Sequence, residues 1–175
     1  ITVIATDTVG NSTTQTATIV VDQTLPTVTI TGLTSPTNSG ASQTATIAAT
    51  DNVAIATQTC RLDSGANTPC TTSYATGALS AGTHTITVIA TDTAGNQRTQ
   101  TATIVVDQTA PSLAISGLTS PTNSTSSQTA TITASDNVAL ATVTCRVDSG
   151  ATTSCIGGTY ATGTLAAGSH TITAI

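Results

Sequence analysis

Thr85-Ile86-Thr87-Val88-Ile89-Ala90 and, past the break at Ala94-Gly95-Asn96, Thr101-Ala102-Thr103-Ile104-Val105-Val106 decide the fold of this chain. In both stretches polar Thr alternates with aliphatic residues at period two, the spacing of a strand with one face on a core and one in water. Thr27-Val28-Thr29-Ile30 and Thr44-Ala45-Thr46-Ile47-Ala48 read the same way. β-Branched Thr, Val and Ile lose less on a pleated backbone than in a helix. Turn-forming clusters punctuate the chain at short intervals: Ser35-Pro36-Thr37-Asn38, Asp51-Asn52, Asp63-Ser64-Gly65 and Ala81-Gly82. No segment holds a helical spacing for ten residues. Short strands with turns at this frequency predict an all-β, antiparallel sandwich or barrel. Strands are expected near 26–34, 43–50, 54–63, 83–91 and 98–107, with a hairpin return near 68–76.

The same pattern recurs at a fixed step. Ile1-Thr2-Val3-Ile4-Ala5-Thr6-Asp7-Thr8 returns 85 residues later as Ile86-Thr87-Val88-Ile89-Ala90-Thr91-Asp92-Thr93, and Cys60 and Cys70 return as Cys145 and Cys155. One residue is inserted after Cys155, so Tyr74 maps to Tyr160 and His84 to His170. Ile172-Thr173-Ala174-Ile175 matches Ile1-Thr2-Val3-Ile4, so the chain starts and stops at the same phase. Self-similarity at one period marks an array of like modules, which spans distance or multiplies a surface more often than it builds one active site. The expectation is two periods of a longer polymer.

Composition excludes several classes of function. The formal charge is -5, from eight acids that are all Asp and three Arg, with no Lys, Glu, Met, Phe or Trp. Without clustered cations the chain offers nothing to neutralise a phosphate backbone or an anionic bilayer, so neither nucleic acid nor membrane is an expected partner. No apolar run is long enough to span a bilayer. Roughly a quarter of the residues are Thr, far above ordinary usage, yet the strict alternation is unlike a disordered chain. A core almost free of aromatics is thin for a module of this size, and a covalent staple would support it.

Cys60-Arg61-Leu62-Asp63-Ser64-Gly65, Pro69-Cys70, Tyr74, Leu79, Gly82-Thr83-His84-Thr85-Ile86-Thr87-Val88, Ala90-Thr91-Asp92-Thr93-Ala94-Gly95-Asn96 and Val106-Asp107-Gln108-Thr109-Ala110-Pro111 resemble the bacterial immunoglobulin-like repeats of large exported surface proteins and adhesins. The resemblance covers the whole chain and implies tandem immunoglobulin-like β-sandwiches. It divides the chain into the last strands of a first repeat (1–24), a complete repeat (25–109) and a third repeat lacking its last strands (110–175). The buried Trp and inter-sheet disulfide of antibody domains are missing, so nothing particular to those domains carries over.

Cys60 and Cys70, like Cys145 and Cys155, stand ten positions apart across a turn, a spacing that suits a disulfide between neighbouring strands. Free thiols remain the alternative; zinc would want tighter ligand spacing and nearby His. Pairing implies an oxidising, extracytoplasmic compartment. His84 and His170 read as single surface or turn residues at strand starts. In an immunoglobulin-like sandwich the entering linker and two loops meet at one pole, which would gather Asp22, Asp51, Asn52, Asp92 and Asn96. Hard oxygen ligands collected there suit Ca²⁺, and related adhesin repeats resemble this arrangement. Asp and Asn in turns also bond their own backbone with no ion, and the sequence leaves both readings open.

Catalysis has little to work with: Glu is absent, His is isolated, and no nucleophile–base set is suggested. No organic cofactor is expected. The Thr runs could present a hydroxyl array of the ice-binding kind, but Thr is a favoured solvent-facing strand residue and a twisted sandwich is a poor flat lattice. Sugar stacking would want exposed aromatics beyond Tyr74 and Tyr160. Asn11-Ser12-Thr13 and Asn123-Ser124-Thr125 match the N-glycosylation pattern, which matters only where the host has the machinery. The leading expectation is an extracellular structural repeat, the stalk or filament of a bacterial surface protein. Its partners would be further copies of the repeat, joined covalently or head to tail, with Val3, Ile19 and Val21 buried against a neighbouring segment. The alternative is a multivalent binding module whose loops hold a glycan or host protein. The copies diverge chiefly at Thr71-Thr72-Ser73 against Ile156-Gly157-Gly158-Thr159, which favours the stalk.

Overall fold

The computed structural model describes residues 1–175 and contains strands and turns but no helix. Two compact units divide the chain, Ile1–Asp107 and Gln108–Ile175. The first opens with a hairpin of β1 (Thr2–Thr6) and β2 (Ser12–Thr16), in which Val3 pairs with Gln15. There follow β3 (Thr27–Thr31), β4 (Thr44–Thr50), β5 (Ile55–Leu62), β6 (Thr68–Pro69), β7 (Ser73–Ala75), β8 (Gly82–Asp92) and β9 (Gln97–Val106).

These seven strands make two antiparallel sheets, ordered β3-β4-β7 and β6-β5-β8-β9. The alternation read from the sequence sets which side chains turn inward. Val28, Ala45, Ile47, Cys60, Leu79, Ile86, Val88, Ala90, Ile104 and Val106 form one buried cluster between the sheets, with Tyr74 packed at its margin. The long β8–β9 ladder runs without a break from Gly82↔Val106 to Thr91↔Gln97. The end of β9 gains a second partner on the other side: Thr37 N–H donates to Val105 C=O (3.0 Å), and Asp107 N–H to Thr37 C=O (2.8 Å). The end of β9 is thus paired on both flanks, which suppresses stray strand pairing there.

The expected hairpin return at 68–76 is corrected by the structure: it is two short strands in different sheets. β6 pairs with β5, and β7 pairs with β4. Cys70 N–H donates to Gln58 C=O (3.2 Å), and two residues later Thr72 C=O accepts from Ile47 N–H (2.8 Å), so the chain changes sheets within Thr71–Thr72. The Cys60 side chain lies in the core, so a return strand bonded to it is held where it must cross.

The second unit repeats the plan with β10 (Ser112–Ser116), β11 (Thr129–Ser135), β12 (Thr144–Val147), β13 (Thr153–Ser154), β14 (Thr159–Ala161) and β15 (Ile172–Ala174). Its sheets run β10-β11-β14 and β13-β12-β15. Its core gathers Ala130, Ile132, Val143, Cys145 and Cys155. The inserted residue is absorbed in the sheet crossing, where Gly158 turns at φ 86° and donates to Cys155 C=O (3.0 Å). Only glycine takes that conformation without cost.

In the single chain, Val3, Ile19 and Val21 are 60%, 70% and 79% exposed.

Candidate metal centre at the entry pole

Three chain segments meet where β5 begins. Asp92 closes β8, and Ile55 of β5 stands opposite it in the ladder. Asp51 and Asn52 follow β4 directly, and Asp22 lies in the linker just before the buried Pro26. A register shift between Ile55 and Thr57 bends the start of β5, and bulges of this kind re-aim the chain beside a site. The carboxylates of Asp22, Asp51 and Asp92 offer oxygens that all lie within 4.8 Å of one another.

Asp92, 2% exposed, is well supplied with donors. Its Oδ1 accepts from Ala94 N–H (2.8 Å) and Asn96 N–H (2.9 Å), and its Oδ2 from Asn96 Nδ2 (2.8 Å). Burial alone would raise the carboxyl pKa; the bonds from Asn96 and Ala94 outweigh it and hold the group below the ordinary value. The same brace occurs at Asp7 in the first hairpin, with Val9 N–H, Asn11 N–H and Asn11 Nδ2 as donors. The Asp–Asn brace is thus turn chemistry of the β-hairpin and does not of itself call for an ion.

Asp22 and Asp51 differ from this. Asp22 Oδ1 accepts from Thr24 N–H (3.0 Å) and Asn52 Nδ2 (3.2 Å), and Asp51 Oδ2 accepts from Val53 N–H (2.9 Å). Their other oxygens, Asp22 Oδ2 and Asp51 Oδ1, are buried with no hydrogen-bond partner. Buried carboxylate oxygens are rarely left so, and here two of them stand among three like charges. This donor set fits a hard divalent cation, which would satisfy both orphans and neutralise the repulsion. Asn52 and Asn96 serve as braces through their amide nitrogens, and Asn96 Nδ2 also donates to the Asp22 backbone C=O (3.1 Å). Two loops thereby grip the linker, a role that residue type alone did not reveal.

The cysteines form two disulfides, Cys60–Cys70 (S–S 1.97 Å) and Cys145–Cys155 (2.11 Å), with Cα–Cα distances of 5.8 and 5.9 Å. Each fastens the central strand of one sheet to the segment that crosses to the other. Gln58, not singled out in the sequence, adds to this crossing through its amide, which donates to Thr71 C=O.

His84 and His170 lie at strand starts near the surface as expected, His84 half-buried and His170 exposed. Each ring carries oxygen contacts on both nitrogens, which the sequence did not reveal. The signal in the sequence was an Asp–His pair, Asp63 with His84 and Asp148 with His170, but a separation of more than twenty residues carries no local pattern.

No curated protein matches this chain. The family model of the bacterial Ig-like domain matches residues 26–108, a span that takes in all of β3 to β9. A second model, bacterial Ig-like domain (group 3), matches residues 69–163, more than half of the chain. Two sheets built from an alternating, repeated sequence, sealed by a buried aliphatic core, agree with both matches: the chain belongs to the bacterial Ig-like domain family.

Proposed function

We propose that this chain is a stretch of the extracellular stalk of a bacterial surface protein, built from repeated modules whose entry linkers are locked by Ca²⁺. Bacterial Ig-like domains are typically carried by exported surface proteins and are in general structural modules rather than enzymes. Disulfides agree with a compartment outside the cytoplasm. The observation that carries the reading is the capture of the linker. Asp22 is bonded by Asn52 and Asn96 from two loops of the following module, and one oxygen each of Asp22 and Asp51 is buried without a partner in the same cluster of carboxylates.

A cation held by Asp22, Asp51 and Asp92 would join linker to module and stiffen the entry, while further copies of the repeat add length. Further repeats before and after this stretch would also cover Val3, Ile19 and Val21.

Calcium titration of the chelator-treated chain tests this. Ca²⁺ should raise the melting temperature of the unit that holds Asp22, and Asp51→Asn should abolish the increment. An identical melting curve with calcium and with chelator would return these carboxylates to turn chemistry.

A further inference from the structure

The pole opposite the acidic cluster carries a second charged device, present in both units. β5 runs from Ile55 beside Asp92 to Leu62, and the turn after it places Asp63 at φ 50°. Asp63 N–H donates to Thr85 C=O (2.8 Å), and Asp63 Oδ1 accepts from Thr85 N–H (2.7 Å). Its Oδ2 lies 2.9 Å from Nδ1 of His84, whose Nε2 lies 3.0 Å from the Ser80 backbone C=O. In the second unit Asp148 takes Thr171 N–H at 2.7 Å and His170 Nδ1 at 2.8 Å, and His170 Nε2 lies 2.9 Å from Ala166 C=O. Asp148 adopts the same backbone, φ 51°. The arrangement recurs although Ser80 is replaced by Ala166, because the contact uses the backbone oxygen.

Neutral imidazole has one N–H and one lone pair. With the proton on Nε2, the Nδ1 lone pair faces a carboxylate oxygen; with it on Nδ1, the Nε2 lone pair faces a backbone oxygen about 3 Å away. The more distant Ser80 hydroxyl (3.5 Å) can relieve that second contact at His84, but Ala166 cannot relieve it at His170. Only imidazolium donates on both sides. Across the ladder His84 faces Ile104, and Arg61 turns its guanidinium to Asn67. Asp63 is thus the charged group that acts on the ring.

We propose that His84 with Asp63, and His170 with Asp148, form an imidazolium latch at the exit pole of each module, closed at mildly acidic pH and released as the ring loses its proton. The latch ties the turn after the Cys-bearing strand to the segment before Gly82. Gly82 pairs with Val106, after which the chain leaves the module. Release therefore loosens the pole from which the next linker departs.

The direction of the titrations agrees. The hydrogen bond to Asp63, then that to Ser80, raises the His84 pKa above its usual value; Asp148 and Ala166 do the same for His170. The bonds from His84 and from Thr85 N–H lower the Asp63 pKa, and His170 and Thr171 lower that of Asp148. A raised histidine pKa contributes stability that is complete below about 6.5 and is lost as pH rises through the folded value. A lowered carboxyl pKa contributes stability that is complete above about 3.9 and is lost as pH falls through the folded value. The latch is whole between those limits.

The test uses the disulfide-bonded 175-residue chain and follows the His84 and His170 ring protons by NMR from pH 5 to 9. Both midpoints should lie above the urea-unfolded value, and the Thr85 and Thr171 amide signals should shift with the same midpoints. The Asp63→Asn/Asp148→Asn variant keeps a residue type that tolerates positive φ. In it the midpoints should fall toward the unfolded value, keeping only the smaller rise due to the Ser80 and Ala166 carbonyls, and the fall in melting temperature between pH 6 and 8.5 should flatten. Wild-type midpoints at or below the unfolded value would overturn the latch, whether or not the variant folds. So would amide signals that ignore the histidine titration.

Discussion

Replacing Cys60 and Cys70 together by Ala isolates what the staple contributes to the first unit. The bridge closes a loop with a sequence separation of 10. In the chain-entropy model, opening so short a loop costs about 3 kcal/mol at 25 °C. Cys60 is fully buried, so losing its sulfur adds a small cavity term and carries the total to roughly 3–4 kcal/mol. Against an overall stability of roughly 5–15 kcal/mol for a domain, that is a large fraction. With a urea slope of about 1 kcal/mol per molar for a module this small, the midpoint should fall by about 3 M. The chain has two tyrosines and no Trp, so Tyr160→Phe leaves Tyr74, packed against the first core, as the sole reporter of that unit. Urea unfolding followed by Tyr74 emission in that background gives the shift directly. A drop of less than about 1 M would refute the argument that the aromatic-poor core depends on its staple. Non-reduced peptide mapping that finds Cys60 free, or joined to Cys145, would refute the pairing.

Other outcomes follow from the same contacts. Ile86→Ala, at a fully buried position of β8, should cost about 2–5 kcal/mol, read by the same urea titration; a loss under 1 kcal/mol would mean the sheets do not pack there. Asp22→Asn should lower Ca²⁺ affinity in isothermal titration while leaving the chelated melting temperature nearly unchanged or higher, since it removes one of three mutually repelling charges. Unaltered affinity would take the linker out of the site. Melting temperature should fall on both sides of the pH 4–6.5 window, with the alkaline limb flattened by Asp63→Asn/Asp148→Asn; a stability curve still rising at pH 8 would contradict the sign worked out for the latch.

The strands were legible because each is a local pattern. Thr85–Val88 and Thr101–Ile104 alternate polar with aliphatic residues, and a period of two favours one inward face once a core exists. The return at 68–76 was misread because Thr71 and Thr72 have the composition of an ordinary strand. What carries them across is the bond from Cys70 N–H to Gln58, ten and more residues back, and the acceptance of Ile47 N–H by Thr72. Of the acidic pole, the sequence supplied the residue types; that Asn52 and Asn96 hold the linker through their amides depends on distances between loops 30 and 74 residues apart.

By itself, then, the sequence determined the all-β class, the repeat and its period, the strand faces and the Cys spacing, because each rests on neighbours along the chain. Only the tertiary structure decided which carboxylate oxygens are orphaned, where the return strand changes sheets, and that His84 and His170 are gripped on both ring nitrogens. Those properties arise from groups brought within 3 to 5 Å by folding, and no spacing along the chain encodes the direction in which their lone pairs and protons meet.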